Sequence, residues 1–274
     1  MEFNLNPFFK GTKDFFQNSS DIMLAIEELN NLFLKETYKG NKVAYYYENI
    51  NNKNVISYNS DICFYAASSI KILVCLMLFQ KAGNNEIDLN QKLLVTMEDL
   101  KQDTGVIKFQ KQNTEYSILE LIKLTIIESD NTAYLKLVNL IGKEKIKEYG
   151  LSLGAKHTME SKPTDSFGIV NCRDMIIYWK EVKRFIDTNP KYGPIFKNYL
   201  SHPTVKLVKD EVLKNYNYIR KYGSWDIAYN EAGYIDGECY IIILTQLNKC
   251  PYKEDFINKA ATSLLEINKK FFPN

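Results

Sequence analysis

The apolar run at residues 70–80 restricts the fold more than any other feature of the chain. It reads IKILVCLMLFQ, in which Lys71 and Gln80 are the only polar side chains. This composition predicts a helix that is apolar on all sides, which is typical of a helix buried in a core. The run is too short to cross a bilayer, which takes about 20 apolar residues. A chain of 274 residues is long enough to surround such a helix with other elements.

The overall composition indicates a globular protein. Hydrophobic residues make up 45% of the chain, charged residues 25%, and the formal net charge is +2. No strong field therefore points to an interaction with nucleic acid, and we expect neither a nucleic-acid partner nor a membrane span. These observations leave the oligomeric state open.

The cysteines and the N-terminal residues bear on the cellular compartment. The five cysteines form no CxxC pair, and their odd number favours reduced thiols over a complete disulfide set. We expect no metal and no cofactor. Residues 1–21 lack the basic segment and continuous apolar segment of a secretory signal. We therefore expect a cytoplasmic protein if the chain is complete, and an exported one if an export segment has been removed.

The order of predicted elements suggests an α+β fold. A helix is predicted over residues 19–34, a hairpin over 42–50 and 55–59, and strands again over the stretches NYIRKYGSW, DIAYNEAGYI and ECYIIILTQ before a last helix. Between them lies a mainly helical block that includes a capping box at Ser117 and Glu120, a helix ending at Gly150, and another helix near residues 204–215. We expect residues 1–66 and 205–274 to form a lobe with an antiparallel sheet flanked by terminal helices. Residues 67–204 would form an inserted all-helical lobe, with the active site at the junction.

Ser68 and Lys71 stand at the start of the apolar helix. Residues three apart on a helix share a face, so a neutral Lys71 amine could take the Ser68 proton. The N–H groups at the helix start would favour a developing oxyanion. Taken alone, the pair also fits an N-capping serine beside a lysine whose amine extends to solvent.

Two further motifs give this pair a chemical context. Ser129-Asp130-Asn131 falls at the junction of two predicted helices, and Lys221-Tyr222-Gly223-Ser224 falls on a predicted strand. The order S-x-x-K, S-D-N, K-x-G resembles class A β-lactamases and penicillin-binding proteins. The stretches FYAASSIKI, DTGVIKF and SDNTAYLKLVNLIG are similar to that family beyond the motifs, and the likeness covers roughly residues 30–270. It implies a β-lactamase/transpeptidase-like fold.

The resemblance implies a role for each motif residue. Ser68 would be the nucleophile, Lys71 its proton acceptor, and Ser129 would carry a proton to the leaving nitrogen. Asn131 would hydrogen-bond Lys71 and the substrate amide, and Lys221 would supply a cation near Ser129 and a substrate carboxylate. The backbone N–H groups of Ser68, at the helix start, and of Ser224, on the substrate-binding strand, would form an oxyanion hole, and Gly223 would permit the close approach.

The sequence departs from the family pattern at two places. Tyr222 stands where the family usually carries a small hydroxyl residue that contacts the substrate carboxylate. The glutamate of the family's E-x-x-L-N string, which hydrolyses the acyl-enzyme, is absent. Asp165 and Glu160 are the available carboxylates, and either could be the deacylation base or a solvated loop residue. His157 and His202 do not fall in a Ser-His-Asp pattern.

The sequence therefore predicts a serine hydrolase acylated at Ser68 by a β-lactam or a related carboxylate-bearing amide. One alternative is a penicillin-binding sensor or trap that acylates without efficient turnover, which the missing glutamate favours. A second is a D-Ala-D-Ala carboxypeptidase-like enzyme. A glutaminase-like amidase on a related fold is a third.

Overall fold

The fold was analysed in a computed structural model that describes residues 2–4, 13–111, 113–160, 165–248 and 251–272. The helices are α1 (Lys13–Tyr38), α2 (Lys71–Gly83), α3 (Ile118–Ile127), α4 (Asn131–Ile141), α5 (Lys143–Ser152), α6 (Cys172–Thr188), α7 (Gly193–Ser201) and α8 (Lys253–Phe271). The strands are β1 (Glu2–Asn4), β2 (Lys42–Asn49), β3 (Val55–Tyr58), β4 (Phe64–Tyr65), β5 (Lys92–Val95), β6 (Thr114–Ser117), β7 (Ile169–Val170), β8 (Tyr218–Trp225), β9 (Ala228–Ile235) and β10 (Cys239–Gln246).

Six of these strands form one antiparallel sheet in the order β1-β3-β2-β10-β9-β8. Its central strands are buried on both faces, and alternate residues belong to different cores because side chains alternate along a strand. Tyr45 and Ile243 face one core, in which α1 and α8 cover the sheet, whereas Ala44 and Leu244 face the other, which the remaining helices form. The predicted α+β fold, with an antiparallel sheet between terminal helices and a helical region, is confirmed.

Helix α2 lies inside the helical core, as its composition predicts. Its residues 71–79 are all buried, and they pack against α3, α5 and α6. Within the described part of the chain, no helix is both long and apolar enough to cross a membrane. The four cysteines that the structure describes, at positions 63, 75, 172 and 239, are free thiols, and Cys250 lies outside the described residues.

The prediction of a helix near residues 204–215 is wrong. The segment forms turns and bends, in which Leu207 and Val208 are buried against the α1 and α8 side of the sheet. Its backbone is bonded to side chains from elsewhere, because Asn258 Nδ2 donates to Leu207 O (3.0 Å) and Arg220 Nη1 donates to Val208 O (2.6 Å). These tertiary hydrogen bonds replace the internal bonds that a helix would need.

One smaller prediction is also wrong, and one helix is missing from the prediction. Helix α7 was not predicted, and α5 does not end at Gly150 but continues to Ser152. A Cβ atom at Gly150 would lie 2.2 Å from Thr158 Oγ1. This glycine therefore permits a close approach of two segments rather than ending a helix.

Candidate active site

Ser68 lies in a short 3-10 turn, Ala67–Ile70, that leads directly into α2. Ala67 adopts a φ of +47°, a conformation that non-glycine residues rarely hold without support. That support comes from both sides of the turn. Ser69 Oγ donates to Ala66 O (2.6 Å), and Asn230 Nδ2 on β9 donates to Tyr65 O (2.9 Å) and Ala66 O (3.1 Å). The backbone around Ser68 is thus fixed by the sheet.

Strand β8 lies directly against this turn. A Cβ atom at Gly223 would lie 2.5 Å from Ser69 N and 3.0 Å from Ser68 N, so only a glycine allows the two backbones to approach this closely. The next residue, Ser224, shares the lining of a cavity with Ser68. The structure thus brings together Ser68, Gly223 and Ser224, which the sequence offers as site residues.

Lys71 follows Ser68 by one turn and is completely buried. Its Nζ donates to Asn131 Oδ1 (2.5 Å) and to Ser129 O (2.6 Å), and it lies 3.3 Å from Ser129 Oγ. Burial and, next, the neighbouring Lys221 hold the pKa of Lys71 well below its usual value, against the opposing influence of Asp130 and Asp103. In the described part of the chain no hydrogen bond joins Lys71 to Ser68. The amine is therefore positioned primarily by the Ser129–Asn131 turn.

This turn, residues 129–131, is held by the carboxylate of Asp130. Asp130 Oδ1 accepts from Ala133 N (2.9 Å) and caps α4, while Oδ2 accepts from Val106 N (2.7 Å) and Ile107 N (2.8 Å). Ser129 has a φ of +53°. The three hydrogen bonds fix a strained turn that points Ser129 and Asn131 at Lys71.

Lys221 approaches Ser129 from the opposite side. The fully buried Lys221 Nζ donates to Ser129 Oγ (3.0 Å) and to Tyr222 O (3.1 Å). Burial lowers the pKa of Lys221 to about 7, although Glu231 acts against this. Ser129 Oγ thus lies between two amines whose protonated forms are both disfavoured.

A cavity of about 290 Å³ opens beside Ser68. Asn131 and Ser224 contribute polar groups to it, and its charged lining residues, Asp103 and Asp165, are both acidic. The remaining lining residues are Tyr65, Ala67, Thr104, Leu135, Ser166, Phe167 and Trp225. The site thus combines an apolar, partly aromatic wall with a few polar groups, which is typical of a small-molecule site.

The segment that carries Asp165 is fastened to the wall of the cavity. Tyr134 Oη donates to Ser166 O (2.6 Å), and Ala66 N donates to Gly168 O (2.9 Å). Strand β7, which follows, pairs with β4 just before Ser68. Asp165 therefore shares the cavity with Ser68. Its Oδ1 accepts from Phe167 N (2.8 Å).

Glu160 lies elsewhere. Its side chain is exposed and interacts with His157 Nδ1 (3.1 Å), and it does not belong to the lining of this cavity. Of the two carboxylates that the sequence offers as a deacylation base, Asp165 alone lines the cavity that contains Ser68.

The model of the beta-lactamase enzyme family matches residues 24–267. The chain belongs to the beta-lactamase enzyme family. The resemblance seen in the three motifs is thereby confirmed.

Individual members of the beta-lactamase family and related proteins are distant in sequence. The chain is 24% identical over 245 residues to beta-lactamase BRO-1 of Moraxella catarrhalis, covering 81% of this chain and 76% of that protein. It is 24% identical over 220 residues to a D-alanyl-D-alanine endopeptidase of Haemophilus influenzae, covering 74% and 70%. A variant of PBP-A in an acyl-enzyme complex with penicillin G has a similar fold, with a TM-score of 0.82, 17% identity, and coverage of 90% of this chain and 97% of that one.

Three supporting residues of this beta-lactamase-family site were not assigned from the sequence. Asp103 Oδ2 accepts from Asn131 Nδ2 (2.8 Å), Asn230 holds the turn before Ser68, and Phe167 lies with its ring centroid 5.7 Å from Lys71 Nζ. Asp103 lies in the stretch DTGVIKF, whose likeness to the family could have identified it as a site residue. Asn230 and Phe167 act through contacts between distant segments, for which a single sequence carries no signal.

Proposed function

We propose that this protein is a serine hydrolase that is acylated at Ser68 by a β-lactam or a related small amide. The observation that carries the proposal is the position of Ser129 Oγ, 3.3 Å from Lys71 Nζ and 3.0 Å from Lys221 Nζ, in a turn whose Asn131 lines the same cavity as Ser68. A capping turn or a structural lysine would not require two buried amines at one hydroxyl, because each costs solvation energy.

In the acylation step, the Ser68 oxygen forms a bond to the substrate carbonyl carbon while its proton passes to the neutral Lys71 amine. The lowered pKa of Lys71 supports this role, since an amine must be unprotonated to act as a base. When the tetrahedral intermediate collapses, the carbon–nitrogen bond breaks. The leaving nitrogen takes a proton from Ser129, whose hydroxyl must turn toward the cavity to reach it, and Ser129 recovers a proton from Lys71.

The negative charge that develops on the carbonyl oxygen would be stabilised by the backbone N–H groups of Ser68 and Ser224. The close approach of β8 to the 3-10 turn at Gly223 supports this arrangement. Donors that are fixed before the reaction stabilise the transition state without reorganisation. Asn230 and Ser69 contribute by holding the turn.

Deacylation would use Asp165 as the base that takes a proton from the attacking water. The ester bond to Ser68 then breaks, and the proton that Asp165 took from the water passes to the Ser68 oxygen. Asp165 shares the cavity with Ser68, which favours it over Glu160.

A shorter carboxylate than glutamate, with one oxygen bonded to Phe167 N, is also compatible with slow turnover. This favours a second candidate function, a penicillin-binding sensor or trap. A D-Ala-D-Ala carboxypeptidase-like activity is compatible with the relative that is a D-alanyl-D-alanine endopeptidase.

Mixing the protein with a chromogenic cephalosporin and with benzylpenicillin, and following colour and intact mass together, tests the proposal. Repeated turnover supports a β-lactamase, whereas a stable mass increase supports the sensor or trap. Both signals should disappear in Ser68→Ala and persist in Ser152→Ala, a matched change at an exposed serine on α5. Absence of colour and adduct in the native protein would contradict the proposal.

A further inference from the structure

The residue after Lys221 determines what the lysine can contact. The Tyr222 ring centroid lies 4.1 Å from Lys221 Nζ, within the range of a cation–π interaction. The Ser129 side chain also interacts with the Tyr222 phenol, whose pKa is nonetheless raised because the side chain is buried. Tyr222 is only 4% exposed. One aromatic side chain thus packs on both the buried amine and the hydroxyl to which that amine donates.

The cavity is separated from this cation. Ser68, Asn131 and Ser224 line it, but Ser129, Lys221 and Tyr222 do not. Ser129 and Lys221 are completely buried. A substrate anion in the described cavity is therefore not in direct contact with Lys221, whose amine is covered by the Tyr222 ring.

The charged residues that line the cavity also disfavour a substrate anion. Asp103 and Asp165 are its charged lining residues, and no lysine or arginine lines it within the described part of the chain. A carboxylate placed next to these side chains is disfavoured by like charge, and the effect is larger in a partly enclosed cavity than in bulk water.

We infer that Tyr222 is a specificity-determining residue that screens Lys221 from the cavity, so that acyl donors lacking a carboxylate are used at least as well as donors carrying one. This inference rests on the proposed acylation at Ser68. It assigns the substrate class as small amides and lactams that are uncharged near the bond that is cleaved.

The test compares benzylpenicillin with its uncharged methyl ester, using intact mass to measure the rate at which each modifies Ser68. In the native protein we expect the acid to react no faster than the ester. In Tyr222→Thr we expect the ratio of acid to ester rates to rise about tenfold or more, because a carboxylate could then reach Lys221 and a hydrogen bond to a charged group is worth at least that factor. Tyr222→Phe retains the ring and should keep the native ratio. The ratio between variants cancels the different intrinsic reactivities of the two probes.

The outcomes separate this inference from the proposed function. A native protein that reacts about tenfold faster with the acid than with the ester would overturn the inference while leaving acylation at Ser68 intact, and this measurement needs no variant. An unchanged ratio in folded Tyr222→Thr would also overturn it. If neither probe modifies any variant, the proposed function fails and the inference fails with it.

Discussion

At the scale of single residues, the site depends on two amines that share one serine hydroxyl. Lys71 and Lys221 both approach Ser129 Oγ, and Lys221 is among the causes that lower the pKa of Lys71. A proton on one amine therefore opposes a proton on the other. In the proposed mechanism, this coupling would let Lys71 act as a base while Lys221 donates a hydrogen bond as a cation.

The pH dependence of acylation should reveal the charge on Lys221. Its pKa is lowered to about 7, so the charged fraction falls as the pH rises through this value. If the cation assists Ser129, acylation should decline above about pH 7. In Lys221→Arg the decline should move to much higher pH, because a guanidinium stays charged, even if the larger group slows the reaction overall. Measuring adduct formation from about pH 5 to 10 checks this, and an unchanged decline in the arginine variant would exclude Lys221 as its source.

Asp165 should affect the release of the acyl group rather than its attachment. In Asp165→Asn we expect the lifetime of the Ser68 adduct to increase by about 100-fold, since general-base catalysis contributes on that order, while acylation changes little. The adduct lifetime after removal of free penicillin measures this. Glu160→Gln is the matched control, because Glu160 is exposed and lies outside the cavity lining. Equal lifetimes in the native protein and Asp165→Asn would reject Asp165 as the base.

At the scale of elements, one carboxylate joins α4 to the segment before β6. Asp130 accepts three backbone N–H groups, from Val106, Ile107 and Ala133, and is itself buried. A Cβ atom at Gly105 would lie 2.2 Å from Asp130 Oδ2, so the glycine is needed for this approach. The position of Ser129 and Asn131 is therefore a consequence of how two elements are fastened.

Removing this carboxylate should destabilise the fold and not only the site. Asp130→Ala leaves three N–H groups without their acceptor, and we expect the free energy of unfolding to fall by about 3–5 kcal/mol. Ser117→Ala is a control of the same kind at the start of α3, where Ser117 Oγ accepts from Glu120 N (3.1 Å) at an exposed site, and should cost only about 1 kcal/mol. Urea unfolding of both variants gives the comparison. A cost at Asp130 no larger than that at Ser117 would contradict the assigned role.

Local patterns predicted most elements, because their residues carry the signal themselves. The strands at Lys42–Asn49 and Cys239–Gln246 are rich in β-branched and aromatic residues, and α2 is apolar on all sides. Residues 204–215 were misassigned because their apolar spacing imitates a helix, whereas their hydrogen bonds are made to Asn258 and Arg220. The motif residues of the site were predicted together for a different reason, because the order of their three motifs resembles that of the family. The contacts that hold them, such as Asn230 to Ala66, join segments far apart in the chain and were not predictable.

At the scale of the whole molecule, buried charged side chains of the sheet face both cores, and they lie close together on β8 and the adjacent strand. Lys221 points to the helical side and contacts Ser129, whereas Arg220, next to it on β8, donates to Val208 O on the other side. Glu231 on the adjacent strand is completely buried, and burial raises its pKa. Buried charges of this kind are costly unless they are paired. We therefore expect the buried charged groups at this edge of the sheet to lower the free energy of unfolding, although the proposed reaction uses one of them, Lys221.

Replacing Lys221 by an apolar residue of similar length should measure that loss. An unfolded lysine binds a proton below about pH 10.4, whereas the folded Lys221 releases it above about pH 7, so native stability falls as the pH is lowered through this window. Lys221→Met removes the dependence. We expect its gain in the free energy of unfolding, relative to native, to be larger at pH 7 than at about pH 9.5 by on the order of 2 kcal/mol. Lys145→Met, at an exposed position on α5, should show no such difference. Urea unfolding of each variant at both pH values checks this prediction. An equal gain in the free energy of unfolding at the two pH values would mean that burial does not lower the pKa of Lys221. We also expect the stabilised Lys221→Met variant to lose acylation.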